Sequence, residues 1–197
     1  DEGVTFSILC GSTDLSTWYV DTTGSDGQGT GTAESPFASI QTGINAAGDG
    51  DTVHVAAGTY FENIIINENM AAYNAKDIIL LGEDRETTII DGDSSGTVVV
   101  FNPNYNSNSI MSGFTIQNGY NIDQNNAWTT VGGIYINDTD PTLTNLIIRN
   151  NIGPSWGAGG INFYSSKATI TNVVISGNTG SGIYSRSYSY PVIEDVV

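Results

Sequence analysis

An internal repeat constrains this chain more than any other feature. Segments 111–119 (MSGFTIQNG), 143–151 (LTNLIIRNN) and 170–178 (ITNVVISGN) align without gaps, and a fourth copy begins at Ile193 (IEDVV). Successive copies start 32, 27 and 23 residues apart, and the last three are each preceded by a second apolar piece: 133–136 (GIYI), 160–163 (GINF) and 182–184 (GIY). A repeat of this length, made of short β-branched runs with no helical periodicity, suits one coil of a parallel β-helix. The aligned columns supply the corners. Gly113, Asn145, Asn172 and Asp195 share one position; the pairs Asn118-Gly119, Asn150-Asn151 and Gly177-Asn178 share another. Gly, Asn and Asp are the residues that tolerate positive φ, so these columns mark where each coil turns between strands, and stacked asparagines can bond along the stack.

Upstream, segments 51–55, 63–66, 77–81, 88–90 and 97–101 are short apolar runs bounded by Gly, Asn or Asp, enough for two or three further coils. One helix is expected over 36–47, with Ser35 as N-cap, Pro36 at the first helical position and Phe37, Ile40, Ile44 and Ala47 on the apolar stripe before Gly48. An amphipathic helix ahead of the first coil would cap the solenoid. The expected organisation is therefore all-β, one domain: residues 1–17 unassigned, and 18–197 a parallel β-helix with a short N-terminal capping helix. The sequence stops inside a strand motif, so the last coil is expected to be uncapped, as a fragment or as an end that another chain covers.

Charge narrows the partners. With 21 Asp and Glu against 5 Lys and Arg the formal net charge is −16, which disfavours a phosphate backbone or an anionic membrane surface. No apolar run approaches the roughly 20 residues of a membrane span. Residues 1–3 lack the basic and apolar regions of a signal peptide, so the chain is either processed or never carried one. Cys10 is the only cysteine, so no internal disulfide forms.

Segments 18–27 (WYVDTTGSDG), 35–47 (SPFASIQTGINAA), 50–55 (GDTVHV) and 57–60 (AGTY) resemble the N-terminal region of secreted bacterial right-handed β-helix proteins, a group that includes family-nine pectate lyases. The later copies resemble the repeats of the same pectate-lyase-like superfamily. The resemblance covers roughly residues 18–197. It implies a right-handed solenoid, a secreted or cell-surface location and a carbohydrate-related context. A lyase of this superfamily needs calcium, or equivalent charge, to neutralise a uronate carboxylate, and a Lys or Arg base. The cations here are Lys76, Lys167, Arg85, Arg149 and Arg186. Arg149, in the column Gln117, Arg149, Ser176 beside the asparagine corner, is the catalytic candidate; Lys167 reads as a solubilising turn residue. The hydrolases of the superfamily use clustered aspartates, a Gly-His-Gly element and a basic tripeptide. Here His54 is the sole histidine and no such tripeptide exists, so Asp138 and Asp140 beside Pro141 read as a turn rather than an acid/base pair.

Two further features bear on ligands. Segment 91–98 (DGDSSGTV) places oxygen groups at Asp91, Asp93 and Ser95 with glycine at the sixth position, like an EF-hand loop without its bidentate glutamate. These three are the candidate calcium ligands in a protein that otherwise requires no cofactor. The segments joining the asparagine corner to the next glycine pair, 120–131, 152–158 and 179–180, shorten from 12 to 7 to 2 residues and leave a shelf along one edge. Trp128 and Trp156, with Tyr120, Asp123 and, on the following coil, Tyr184, suit stacking on sugar rings and bonding to their hydroxyls. The expectation is an extracellular, non-catalytic module displaying loops for glycan or cell-surface recognition. The alternatives are the N-terminal part of a calcium-dependent polysaccharide lyase, and a filament subunit that associates end to end through its last coil.

Overall fold

The computed structural model describes residues 15–67, 76–103, 108–122 and 130–197. β1 (Thr17–Val20) opens the solenoid and α1 (Ile40–Ala46) lies over it. β2 (Thr52–Val55), β3 (Gly58–Phe61) and β4 (Ile64–Ile66) form the next coil, and β5 (Ile79–Gly82), β6 (Thr88–Asp91) and β7 (Val99–Phe101) the one after. Three more coils pair β8 (Ile110–Gln117) with β9 (Ile134–Asn137), β10 (Thr142–Arg149) with β11 (Ala158–Tyr164), and β12 (Thr169–Ser176) with β13 (Ser181–Arg186). β14 (Val192–Val196) begins another.

Strands stack only on their counterparts one coil away, and each of these ladders is parallel. β8 spans two faces at once. Ile110–Ser112 pairs with Ile79–Leu81 of β5, and Thr115–Gln117 with Ile89–Asp91 of β6, so Gly113 bends a single strand where the earlier coil uses two. The result is an all-β parallel β-helix with three faces, as the repeat predicts.

Registered stacking makes the core a set of columns. Leu80, Met111, Leu143 and Ile170 form one, Ile90, Ile116 and Ile148 a second, and Phe101, Ile136 and Phe163 a third. All are 1% exposed or less. At roughly 1.5–3 kcal/mol for each large aliphatic or aromatic side chain removed from water, these columns are the main source of stability.

Both corner columns read from the sequence hold left-handed backbone: Gly113, Asn145, Asn172 and Asp195 at φ 84°, 53°, 53° and 51°, and Asn118, Asn150 and Gly177 at 57°, 56° and 63°. Gly113 answers a second demand, because a Cβ there would sit 2.3 Å from the Gly82 carbonyl oxygen. Beside the second corner the asparagines turn inward. The Asn151 side chain accepts from Gly119 N (2.8 Å) and donates to Ile116 O (3.1 Å) and Asn178 Oδ1 (3.1 Å), while Asn178 donates to Ile148 O (2.9 Å). Asn151 is fully buried, and its side-chain oxygen supplies the acceptor for the Gly119 N–H just beyond the end of β8.

The capping helix is shorter than expected, and its N-cap is Ser39 rather than Ser35. Phe37 continues the first sheet instead. It bridges Val20 in parallel, with Phe37 N donating to Tyr19 O and Asp21 N to Phe37 O, both at 2.9 Å, so residues 36–37 are held extended. The stripe itself is as read: Phe37, Ile40, Ile44 and Ala47 are all buried. Glu62 grips the helix start, accepting from Ile40 N (2.8 Å) and Gln41 N (3.0 Å), and Lys76 Nζ donates to the last carbonyls, Ile44 O (2.5 Å) and Ala47 O (2.6 Å). Asp51 ties the cap to the coil by accepting from Ser16 N (2.8 Å), Trp18 Nε1 (2.9 Å) and Gly48 N (2.8 Å). Burial raises its pKa, but these three donors and the charge of Lys76 outweigh it, leaving the carboxyl below its usual range.

Two outcomes are expected. Asn151→Ala strands the Gly119 N–H in the interior and costs about 1–3 kcal/mol, read from urea denaturation. A carboxylate with a depressed folded-state pKa contributes stability that is complete above the unfolded value near 3.9 and is lost as pH falls through the folded value. Asp51→Asn therefore lowers the urea midpoint at pH 7, and the gap to wild type narrows as pH falls towards 3.

Candidate functional site

The asparagine corner has two flanks, and each carries a column of side chains. On the strand side, register aligns Phe61, Asp91, Gln117, Arg149 and Ser176. Three of them form a relay. Asp91 Oδ2 accepts from Gln117 Nε2 and Asn118 Nδ2, both at 2.8 Å, and Gln117 Oε1 accepts from Arg149 Nε at 2.9 Å. A carboxylate at one end thus fixes an amide, and the amide fixes the guanidinium. Asp91 is 6% exposed, whereas Arg149 is only half-buried and its terminal nitrogens make no hydrogen bond or ion pair among the described residues. Phe61, two coils below Gln117 in this column, is 69% exposed.

On the loop side, Tyr120 and Ile152 sit next to each other through a parallel bridge that continues to Thr179. Tyr120, Ile122, Ile152 and Trp156 are 41%, 41%, 37% and 43% exposed. The backbone beneath is held firmly: Tyr120 N donates to Gly96 O and Asn121 N to Ile152 O, both at 2.9 Å. The register thus sets Tyr120 beside Ile152, and Trp156, four residues further along the Ile152 segment, is likewise exposed. Tyr184 belongs elsewhere. It aligns with Asn162 and Tyr135 on the third face and packs on a small cluster of Val131, Tyr135 and Ala158. Burial pushes the Tyr135 hydroxyl up to about 12, with the positive charge of Arg186 acting in the opposite direction. Asp123 and Trp128 lie outside the described residues.

The segment proposed for calcium is a tight turn, with Asp93, Ser94 and Gly96 all in left-handed backbone. Asp91 Oδ1 accepts from Asp93 N at 2.9 Å, so both oxygens of Asp91 already receive protein donors. Asp93 and Ser95 are exposed, and the Ser95 carbonyl accepts from Asn63 Nδ2. Among the described residues, no three His, Cys, Asp or Glu side chains converge as a metal site. The link from Asp91 to Arg149 escaped the sequence reading because the coil of β5, β6 and β7 was not aligned with the later copies. Placing Asp91 in the column of Gln117 would have found it.

A family model described as "Protein of unknown function (DUF1565)" matches residues 22–192. The chain belongs to this family. With the coil architecture described above, DUF1565 membership places it in the right-handed, pectate-lyase-like β-helix superfamily. The solved structure of pectin methylesterase PemA from Erwinia chrysanthemi is similar over 80% of this chain and 54% of that one, with 13% sequence identity and a TM-score of 0.47. This DUF1565 chain spans about half the length of that structure. No curated protein matches the sequence.

The relay predicts coupling. Gln117→Ala and Arg149→Ala are expected to be non-additive in a double-mutant cycle, with an interaction of about 0.5–1 kcal/mol in urea unfolding, because each removes one end of the same hydrogen bond.

Proposed function

We propose that this β-helix is an extracellular recognition module that presents the asparagine-corner edge to a glycan and performs no chemistry of its own. The observations carrying this reading lie on the two flanks of the asparagine corner: exposed Tyr120 and Trp156 on the loop side, and on the strand side the Arg149 guanidinium held by Gln117. Sugar rings offer C–H faces that stack on aromatic rings, and hydroxyls that accept from a fixed donor. The edge costs little to organise on binding, because Tyr120 and Ile152 are pinned by backbone hydrogen bonds to neighbouring coils. Among the described residues no helix is long and apolar enough to cross a membrane, which is compatible with a secreted or surface-exposed location.

The test is retention of the purified chain on immobilised neutral and uronate polysaccharides, with and without calcium, with absorbance of any unsaturated product followed in parallel. Retention without product, reduced at least about tenfold by Trp156→Ala, is the expected result; partly exposed anchors are worth on the order of 1.4 kcal/mol. Calcium-dependent product that disappears with Arg149→Ala would replace this reading with the lyase alternative. Retention unchanged in Trp156→Ala would remove this edge from recognition.

A further inference from the structure

Between the third face and the first, each coil turns a further corner, whose turns the sequence reading took one by one and not as an aligned column. Asp138, Ser165 and Ser187 follow the registered residues Asn137, Tyr164 and Arg186, and all three are left-handed, at φ 46°, 50° and 53°. Here the coils part to leave a pocket of about 250 Å³ lined by Asp138, Thr139, Asp140, Ser165, Lys167 and Tyr188.

The chemistry of this lining is unlike that of a plain turn. Lys167 and Asp140, remote in sequence, meet when Lys167 N donates to Asp140 Oδ1 at 2.6 Å. That bond leaves Asp140 Oδ2 facing no described donor. The Lys167 ammonium makes no ion pair among the described residues. Thr139 is 3% exposed, and its Oγ1 has no hydrogen-bond partner, an uncommon state for a buried hydroxyl. Tyr188 is left-handed at φ 61° and 86% exposed, so its ring takes no part in the core. Carboxylate acceptors, an ammonium donor, hydroxyls and an unpacked aromatic ring thus surround a volume suited to one six-membered sugar ring.

We propose that this pocket binds a neutral hexopyranose unit, with Asp138 and Asp140 accepting from its hydroxyls, Lys167 donating to its oxygens and the Tyr188 ring against its C–H face. Neutrality follows from charge. Two carboxylates against one ammonium, in a chain of net charge −16, disfavour a uronate or a phosphate. The site is at a different corner from Tyr120 and Trp156 and does not depend on that edge being a recognition surface.

Backbone amide NMR of the full chain tests the assignment, using methyl glucoside and methyl galactoside as probes and galacturonate and inorganic phosphate as charged controls. Single-sugar affinities lie in the millimolar range, so titration to about 50 mM is sufficient. The expected result is saturable shifts at Thr139, Asp140, Ser165, Lys167 and Tyr188 with at least one methyl glycoside and none with the anions. Asp140→Asn, which keeps the acceptor for Lys167 N, and Tyr188→Ala, which alters an exposed ring, should each weaken binding at least about fivefold with an unchanged unfolding midpoint. Absence of shifts with both glycosides, equal shifts with galacturonate, or wild-type affinity in both variants would overturn the assignment. Because the readout is residue-specific, loss of polysaccharide retention in Trp156→Ala neither produces nor removes these shifts.

Discussion

Everything in this molecule depends on parallel strands stacking in register from one coil to the next. A parallel ladder satisfies backbone groups only while neighbouring coils keep the same path, so each bend must recur at the same place in every coil. Left-handed residues at the corners enforce that recurrence. Gly113, Asn145 and Asn172 turn the chain at one corner, and Asn118, Asn150 and Gly177 at the next, each over its predecessor. Once the corners coincide, alternate side chains fall into the interior columns without further instruction, and the buried Asn151 and half-buried Asn178 side chains accept from the Gly119 and Asn151 N–H groups at the bend.

This explains which parts of the fold were legible in the sequence. Corner residues are few in type and periodic, so Asn145 and Asn172 announced themselves. The short β-branched runs at 63–66 and 88–90 were visible because a buried strand has little else to be made of. The N-cap was misplaced because Ser35-Pro36 carries the local signature of a helix start, whereas the first sheet needed Phe37 as an extended neighbour of Val20. Tertiary pairing overrode the local preference, and Ser39 took over the cap. The third corner was read only as separate turns, at Asp138 to Asp140 and around Lys167, because its left-handed residues, Asp138, Ser165 and Ser187, share no residue type that an alignment would gather.

The candidate sites were legible to a lesser degree for a related reason. Sequence proximity suggested that Tyr184 accompanies Tyr120 and Trp156, but a coil carries three faces, and a few residues past a corner place a side chain on a different wall. Arg149 was singled out correctly as a column member, but its orienting partners were not, since Gln117 is 32 residues away and Asp91 reaches it only through register. Asp140 and Lys167 each looked like an ordinary turn residue, and only the superposition of two turns brings them together.

The unequal segments after the asparagine corner have a mechanical meaning. Residues 120–131, 152–158 and 179–180 join the same two walls with very different lengths, yet Tyr120, Ile152 and Thr179 still bridge one another where these segments leave, and Val131 still bridges Ala158 where they return. The difference in length therefore leaves the register of the two walls unchanged where these segments begin and end. Each coil behaves as a rung of fixed pitch with one adjustable arm, so the outline of that edge can be reshaped by insertion or deletion there while the spacing between rungs stays as it is.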